Sequence, residues 1–263
     1  MPRPDHRRPR PGDRKPNRFP PRSPAERRPD SLWVYGIHPV LAALANPRRE
    51  IRRIVATANA ISRLEAAGAT IPLKPEEASP RQLSHLVGMD AVHQGVALEV
   101  APLPALTLDD LADARLVVVL DQVTDPHNVG AILRSAVAFA ADAVITTGRH
   151  APAESGVLAK AASGALDTIN LIEVQNLARA LEDLGSRGFT RIGLDSEADT
   201  PIDEAMGGER IALVLGAEGK GLRRLTRDTC DRLARLSVPG AIASLNVSNA
   251  AVLALYLARR ALG

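Results

Sequence analysis

The stretch 116-LVVVLDQV-123 is apolar at every position from Leu116 to Leu120, and 142-DAVITT-147 and 210-RIALVLG-216 follow the same pattern. A strand that is apolar on both faces is buried on both faces, which is the mark of a parallel sheet covered by helices. Helical patterns lie between such runs, at about 128–140, 154–164 and 176–188. Strands 168-TINLIEV-174 and 190-TRIGLDS-196, a short helix near 222–232, an extended 233-LARLSV-238 and a long helix from about 246 complete the pattern. Strand and helix alternating in this way predict an α/β domain with a mostly parallel sheet. Aromatic residues make up only 2% of the chain, so its core must be built from Ala, Val, Leu and Ile.

A smaller α/β unit precedes it. Trp33 to Tyr35 reads as a short strand, and Pro39 suits the first turn of a helix. Strand 51–58, helix 59–68, extended 70–75, helix 79–88 capped by Ser79, and strand 95–101 follow. The domains are therefore expected at 31–101 and 115–263, with 102–114 as a linker in which Thr107 caps a short helix. Residues 1–30 differ in kind. They hold ten Lys/Arg, four Asp/Glu and nine prolines, a charge of +6 in a chain whose total is +3. Such a segment cannot bury enough apolar surface to fold and predicts a disordered basic arm. The arm is either a solubilising tail or a non-specific phosphate contact. The folded body, at about −3 by difference, needs local basic patches to hold a polyanion. Arg48, Arg49, Arg52 and Arg53 are the candidates, with a solvated turn as the alternative.

Several classes are disfavoured. No apolar run approaches the roughly 18 residues of a membrane span, and no secretory signal is visible. A single cysteine, Cys230, excludes internal disulfides and a Cys-based zinc site, and scattered histidines argue against any transition metal. The expected location is the cytoplasm.

In parallel sheets ligands bind outside the carboxyl ends of the strands. In 121-DQVTDPHNVGAILR-134, Asn128 can cap the helix, Gly130 lets backbone amides approach a ligand, and Asp121 and Asp125 suit turns. Arg134 stands within an apolar helix. It either snorkels to the surface or, if buried, needs an anion. In 216-GAEGKGL-222 the glycines allow turns in which backbone N–H groups cradle a polar ligand. The loop is neither a Walker A motif nor GxGxxG, which argues against a dinucleotide-dependent dehydrogenase. In 244-SLNVSNAAVLALYLARR-260, Ser244, Asn246, Ser248 and Asn249 gather at a helix start, where a single cap would need only one.

Together DPHNVGAILRSA, GAEGKGL and SLNVS resemble, in order and spacing, the three signature motifs of the SpoU (TrmH) family of RNA 2′-O-ribose methyltransferases. YGIHPVLAAL and HQGVALEV resemble the ribosomal-protein-L30e-like first domain of the branch that methylates a guanosine ribose in the peptidyl-transferase region of 23S rRNA. The resemblance covers roughly 31–263. It implies a C-terminal Rossmann-like parallel sheet tied in the trefoil knot of the SPOUT class, a smaller L30e-like RNA-binding domain, a homodimer packed through the knot, and S-adenosyl-L-methionine as methyl donor. The implied cofactor contacts are Gly216, Leu236 and Leu245. The implied catalytic set is Arg134 with Asn128, Glu218, Ser244 and Asn246. The family's Ile-Pro-Met-x-Gly segment is 236-LSVPG-240 here, with the proline displaced by two positions. The alternatives are a tRNA 2′-O-ribose methyltransferase and a non-catalytic RNA-binding or ribosome assembly factor of the same fold.

Overall fold

The computed structural model describes residues 30–148, 152, 154–241 and 245–263. The expected arm at 1–30, apart from Asp30, therefore lies outside the described residues. The first unit contains β1 (Leu32–Tyr35), α1 (Ile37–Ala45), β2 (Ile51–Ala56), α2 (Ala58–Ala66), β3 (Glu76–Glu77), α3 (Pro80–Val87) and β4 (Val96–Val100). Its sheet runs β1-β4-β2-β3, with β4 antiparallel to both β1 and β2 and with β3 parallel to β2. α3 starts where Ser79 and Gln82 satisfy each other's backbone N–H groups in a capping box, with Pro80 at the first position.

After a 3-10 turn at Leu108–Leu111 the second unit alternates strand and helix. It comprises β5 (Leu116–Asp121), α4 (Pro126–Ala138), β6 (Ala143–Thr147), α5 (Gly156–Ala162), β7 (Asn170–Val174), α6 (Leu177–Ser186), β8 (Thr190–Leu194), α7 (Ile202–Ala205), β9 (Ile211–Gly216), α8 (Arg224–Thr229), β10 (Arg232–Ala234) and α9 (Val247–Leu262). The six strands form one parallel sheet in the order β10-β8-β9-β5-β6-β7. Every residue of β5 is buried. Leu116, Val118 and Leu120 belong to the core shared with α4 and α9, whereas Val117 and Val119 belong to the opposite core with α6. That double burial is why the strand is apolar throughout. α7 carries no sequence signal strong enough to predict it. β10 begins one residue earlier than expected and ends at Ala234.

One core cluster runs through both units, from Val34, Val40 and Leu98 to Leu116, Leu133 and Leu255. Two glycines permit the contact. A Cβ on Gly156 would lie 2.5 Å from the Trp33 carbonyl oxygen and 2.6 Å from the Tyr35 ring. One on Gly164 would lie 2.9 Å from Ala42 Cβ. Arg49, offered above as an RNA contact, is buried in this seam against Asp167 and Glu154. Arg53 lies over the Trp33 ring and is held by Glu76 and Glu99, Arg52 by Glu50, and Arg48 donates to Asn170. The expected basic patch is thus largely engaged within the protein, because carboxylates sit within reach of Arg49, Arg52 and Arg53 and Asn170 within reach of Arg48.

Candidate active site

β5 and β9 lie side by side, and Asp121 and Gly216, their last residues, are register partners. Both chain segments leave the sheet at this carboxyl edge. After β5 the backbone turns through Gln122 at a positive φ of 63° into α4. Asp125 caps α4 by accepting from His127 N at 2.9 Å, and Pro126 takes the first position. Asn128 is therefore not the cap. It is the third residue of the helix, half-buried, with no side-chain hydrogen bond among the described residues. The Asp-Pro pair was the stronger start signal, since proline favours the first helical position.

Arg134 is exposed, and among the described residues its guanidinium has neither hydrogen bond nor ion pair. The buried face of α4 is Val129, Gly130, Ile132, Leu133 and Ala136. The helix turns Arg134 away from it, so the snorkelling alternative holds and no desolvation cost arises. Gly130 has a different role from the one expected. A Cβ there would collide with Ala161 Cβ and the backbone of α5, so its absence lets two helices close-pack.

The glycine-rich loop folds back on itself. Gly221 N donates to Ala217 O at 2.9 Å, and Gly219 and Gly221 adopt φ of 75° and 64°. A Cβ on Gly216 would overlap the Gly221 backbone, so the strand end can be only glycine in this turn. Glu218 is exposed and unpaired among the described residues. The loop is anchored by a contact the sequence reading missed. Asp121, fully buried, accepts from Arg223 N at 2.9 Å and Arg223 Nε at 2.6 Å. Asp121 is thus no turn residue. It ties the first loop to the second. The available signal was an acid closing a strand that is otherwise wholly apolar.

The third segment arrives at the same edge. α9 packs on α4 and β9. Its far end is fixed at the opposite edge, where Arg115 Nη2 donates to Leu262 O at 3.0 Å and Arg259 Nε donates to Phe139 O at 2.9 Å. α4 and α9 therefore run in the same direction, and both present their N-termini at the carboxyl edge. N-terminal backbone N–H groups and the helix dipole favour negative or polar ligands there. Asn246 caps α9, accepting from Ser248 N at 2.8 Å and Ser248 Oγ at 2.6 Å. Leu245, just before it, is 37% exposed, and Leu236 is half-buried against the core. Ser244 lies outside the described residues. The carboxyl edge thus carries Gly216, Leu236 and Leu245, with unused polar atoms on Asn128 and Glu218, while Arg134 lies further along α4.

Residues 115–256 match the model of the SpoU rRNA Methylase family, and residues 33–106 match that of an RNA 2′-O ribose methyltransferase substrate-binding domain. The chain is 43% identical over 243 residues to a protein of Ralstonia nicotianae named 23S rRNA (guanosine-2′-O-)-methyltransferase RlmB, covering 88% of this chain and 96% of that one. It is 39% identical over 241 residues to the protein of the same name from Pseudomonas aeruginosa, covering 86% and 96%. Its fold is similar to that of the SpoU methyltransferase AviRb from Streptomyces viridochromogenes, with TM-score 0.75 at 24% identity, over 88% of this chain and 90% of that one.

Proposed function

The chain belongs to the SpoU rRNA methylase family, and from that premise we propose that it methylates the ribose 2′-oxygen of a guanosine in 23S rRNA, with Arg134 as the central catalytic residue. The observation that supports the reading best is that β5 and β9 end side by side at one carboxyl edge, with Asp121 and Arg223 tying together the loops that follow, while Arg134, further along α4, has no side-chain partner among the described residues. The methyl donor is S-adenosyl-L-methionine, which supplies a methyl group already activated by a positive sulfur. Gly216 ends β9 at this edge, with the Gly221 backbone packed where its side chain would stand, and Leu236 and Leu245 offer apolar surface for the adenosine.

The remaining work is alignment and proton removal. Alignment of nucleophile and methyl carbon is a proximity effect. Arg134, charged and unpaired, grips the phosphate beside the target ribose and stabilises the oxygen as its proton leaves. Asn128 and Glu218 hold the ribose or the guanidinium by hydrogen bonds. Asn246, and with it Ser244, orders the start of α9. The first unit, 31–101, joined by 102–114 to the methyltransferase unit 115–263, selects the RNA. The knot is what the resemblance implies, and the parallel sheet of the second unit is consistent with it.

The active form is a homodimer. α9 exposes Val252, Leu253 and Tyr256 on one face, and a second copy is the occupant the resemblance implies. Among the described residues no helix is long and apolar enough to cross a membrane. A reaction on rRNA is expected in the cytoplasm. The test is incubation with S-adenosyl-L-methionine and rRNA lacking its modifications, followed by mapping of 2′-O-methyl groups. One guanosine in 23S rRNA is expected. A base methyl, or activity on tRNA alone, would overturn the assignment.

A further inference from the structure

The seam between the two units holds a charge network unlike anything else in the described chain. The Arg49 side chain is 0% exposed and Asp167 1%, with Nε to Oδ1 at 2.7 Å. Arg49 Nη1 donates to Glu154 Oε1 at 2.5 Å and to Ala101 O at 3.0 Å. Asn46 Nδ2 donates to the same Asp167 oxygen at 3.1 Å, and Leu103 N to Glu154 Oε2 at 3.0 Å. One guanidinium thus joins the first unit to the methyltransferase unit, and Glu154 ties in the linker at Leu103. Its carboxylate partners flank α5, which packs on α4, the helix that carries Arg134.

The chemistry of this seam is informative. Apolar side chains of similar volume would hold two units at least as well, because burying ions costs solvation that the pair only partly offsets. A forked guanidinium between two carboxylates has one geometry, whereas an apolar contact tolerates sliding. The seam is fixed a second time at its rim. Gln94, at a positive φ of 56°, accepts from Ile37 N at 3.0 Å and from Lys160 Nζ at 3.4 Å. Gly156 and Gly164 remove the side chains that would hold the units apart.

We propose that Arg49 is a positioning residue that locks the RNA-selecting unit in register with the catalytic edge, so that the register determines which ribose reaches Arg134. The proposal rests on the methyltransferase reading. A loosened seam leaves the carboxyl edge and its cofactor contacts intact but lets the bound RNA wander. A misplacement near 1 Å is enough to cost on the order of 10²-fold in turnover.

The test is Arg49→Lys, which keeps the charge but loses the fork, beside Glu154→Gln, which weakens the same guanidinium from the rim. Both are expected to bind S-adenosyl-L-methionine as the parent does. Arg49→Lys should lose turnover on unmodified 23S rRNA on the order of 10²-fold, with methyl groups appearing on riboses next to the normal one. Glu154→Gln should show a smaller loss in the same direction. Small-angle scattering of the full chain should show a broader distribution of distances for Arg49→Lys. Unchanged site selectivity with an unchanged scattering profile overturns the lock, as does a loss of turnover explained wholly by weaker cofactor binding. If the parent protein methylates no RNA, the functional reading fails. Scattering still decides the lock, and an unchanged profile defeats it.

Discussion

Arg49 and Arg134 carry the same guanidinium and meet opposite conditions. At the seam the Arg49 side chain is fully buried between two carboxylates, with Nη2 alone left without a hydrogen bond among the described residues. Asn128 and Glu218 near the carboxyl edge, and Arg134 further along α4, have no side-chain partners among the described residues. A paired, buried arginine fixes the scaffold, and its charge is spent within the protein. An unpaired, exposed one remains available to a phosphate that arrives with substrate. The difference separates arginines engaged within the protein from one that is available better than sequence position does, since Arg48, Arg49, Arg52 and Arg53 form the denser cluster.

The comparison breaks first at Arg134. Arg134→Ala is expected to lower methyl transfer by about 10²- to 10⁴-fold, while cofactor affinity and thermal stability stay near those of the parent. Side-by-side calorimetry and turnover measurements check this. Near-normal turnover would mean that an unpaired arginine here is only surface. Gly216→Ala comes next. Its methyl group would overlap the Gly221 backbone, so the loop must shift at a cost of about 1–3 kcal/mol, read as a lower melting temperature together with weaker cofactor binding. A cofactor affinity that is fully retained would remove Gly216 from the binding edge.

Arg223→Ala probes a mixed case, a half-exposed arginine whose partner Asp121 is fully buried. Leaving a buried acceptor unsatisfied costs about 1–3 kcal/mol, and adding Asp121→Asn should recover part of that loss. If the double variant is as unstable as the sum of the single ones, the pair does not couple the two loops. Arg53→Ala should change least for the substrate. Its charge is shared between Glu76 and Glu99 at 2.8 and 3.3 Å, so RNA affinity should hold within about twofold, as for a surface pair. A marked fall in affinity would return this arginine to the RNA-binding surface.

The parallel sheet was legible because strands such as Leu116–Asp121 must be apolar on both faces, and few other structures require that. The helix ends were legible where a cap and a proline coincide, as at Ser79 and Pro80. The site was legible as motifs but not as geometry. Asp121 read as a turn residue because its partner, Arg223, lies 102 positions away, and only the register of β5 with β9 brings them together. Gly130 read as a ligand contact for the same reason, since its neighbour Ala161 belongs to another helix. Arg134 looked costly because a list of apolar neighbours does not show which face of α4 it occupies, and the burial pattern of the helix turns it to solvent.

The smallest effect tests whether paired charges outside both regions matter for stability at all. Asp231 accepts from Arg191 Nε at 2.9 Å and from Arg191 N at 2.8 Å. The hydrogen bonds from Arg191 hold its carboxyl below the ordinary value of 3.8. A carboxyl whose value is depressed in the folded state stabilises above its unfolded value, and that contribution is lost as pH falls through the folded one. The chain should therefore lose stability progressively below about pH 4. Arg191→Met should flatten that acid limb while leaving stability at neutral pH only slightly lower, because the Asp231 side chain is 39% exposed and water screens the pair. Urea unfolding at a series of pH values distinguishes the outcomes. An acid limb as steep in Arg191→Met as in the parent would show that this pair is incidental and that the acid sensitivity arises elsewhere.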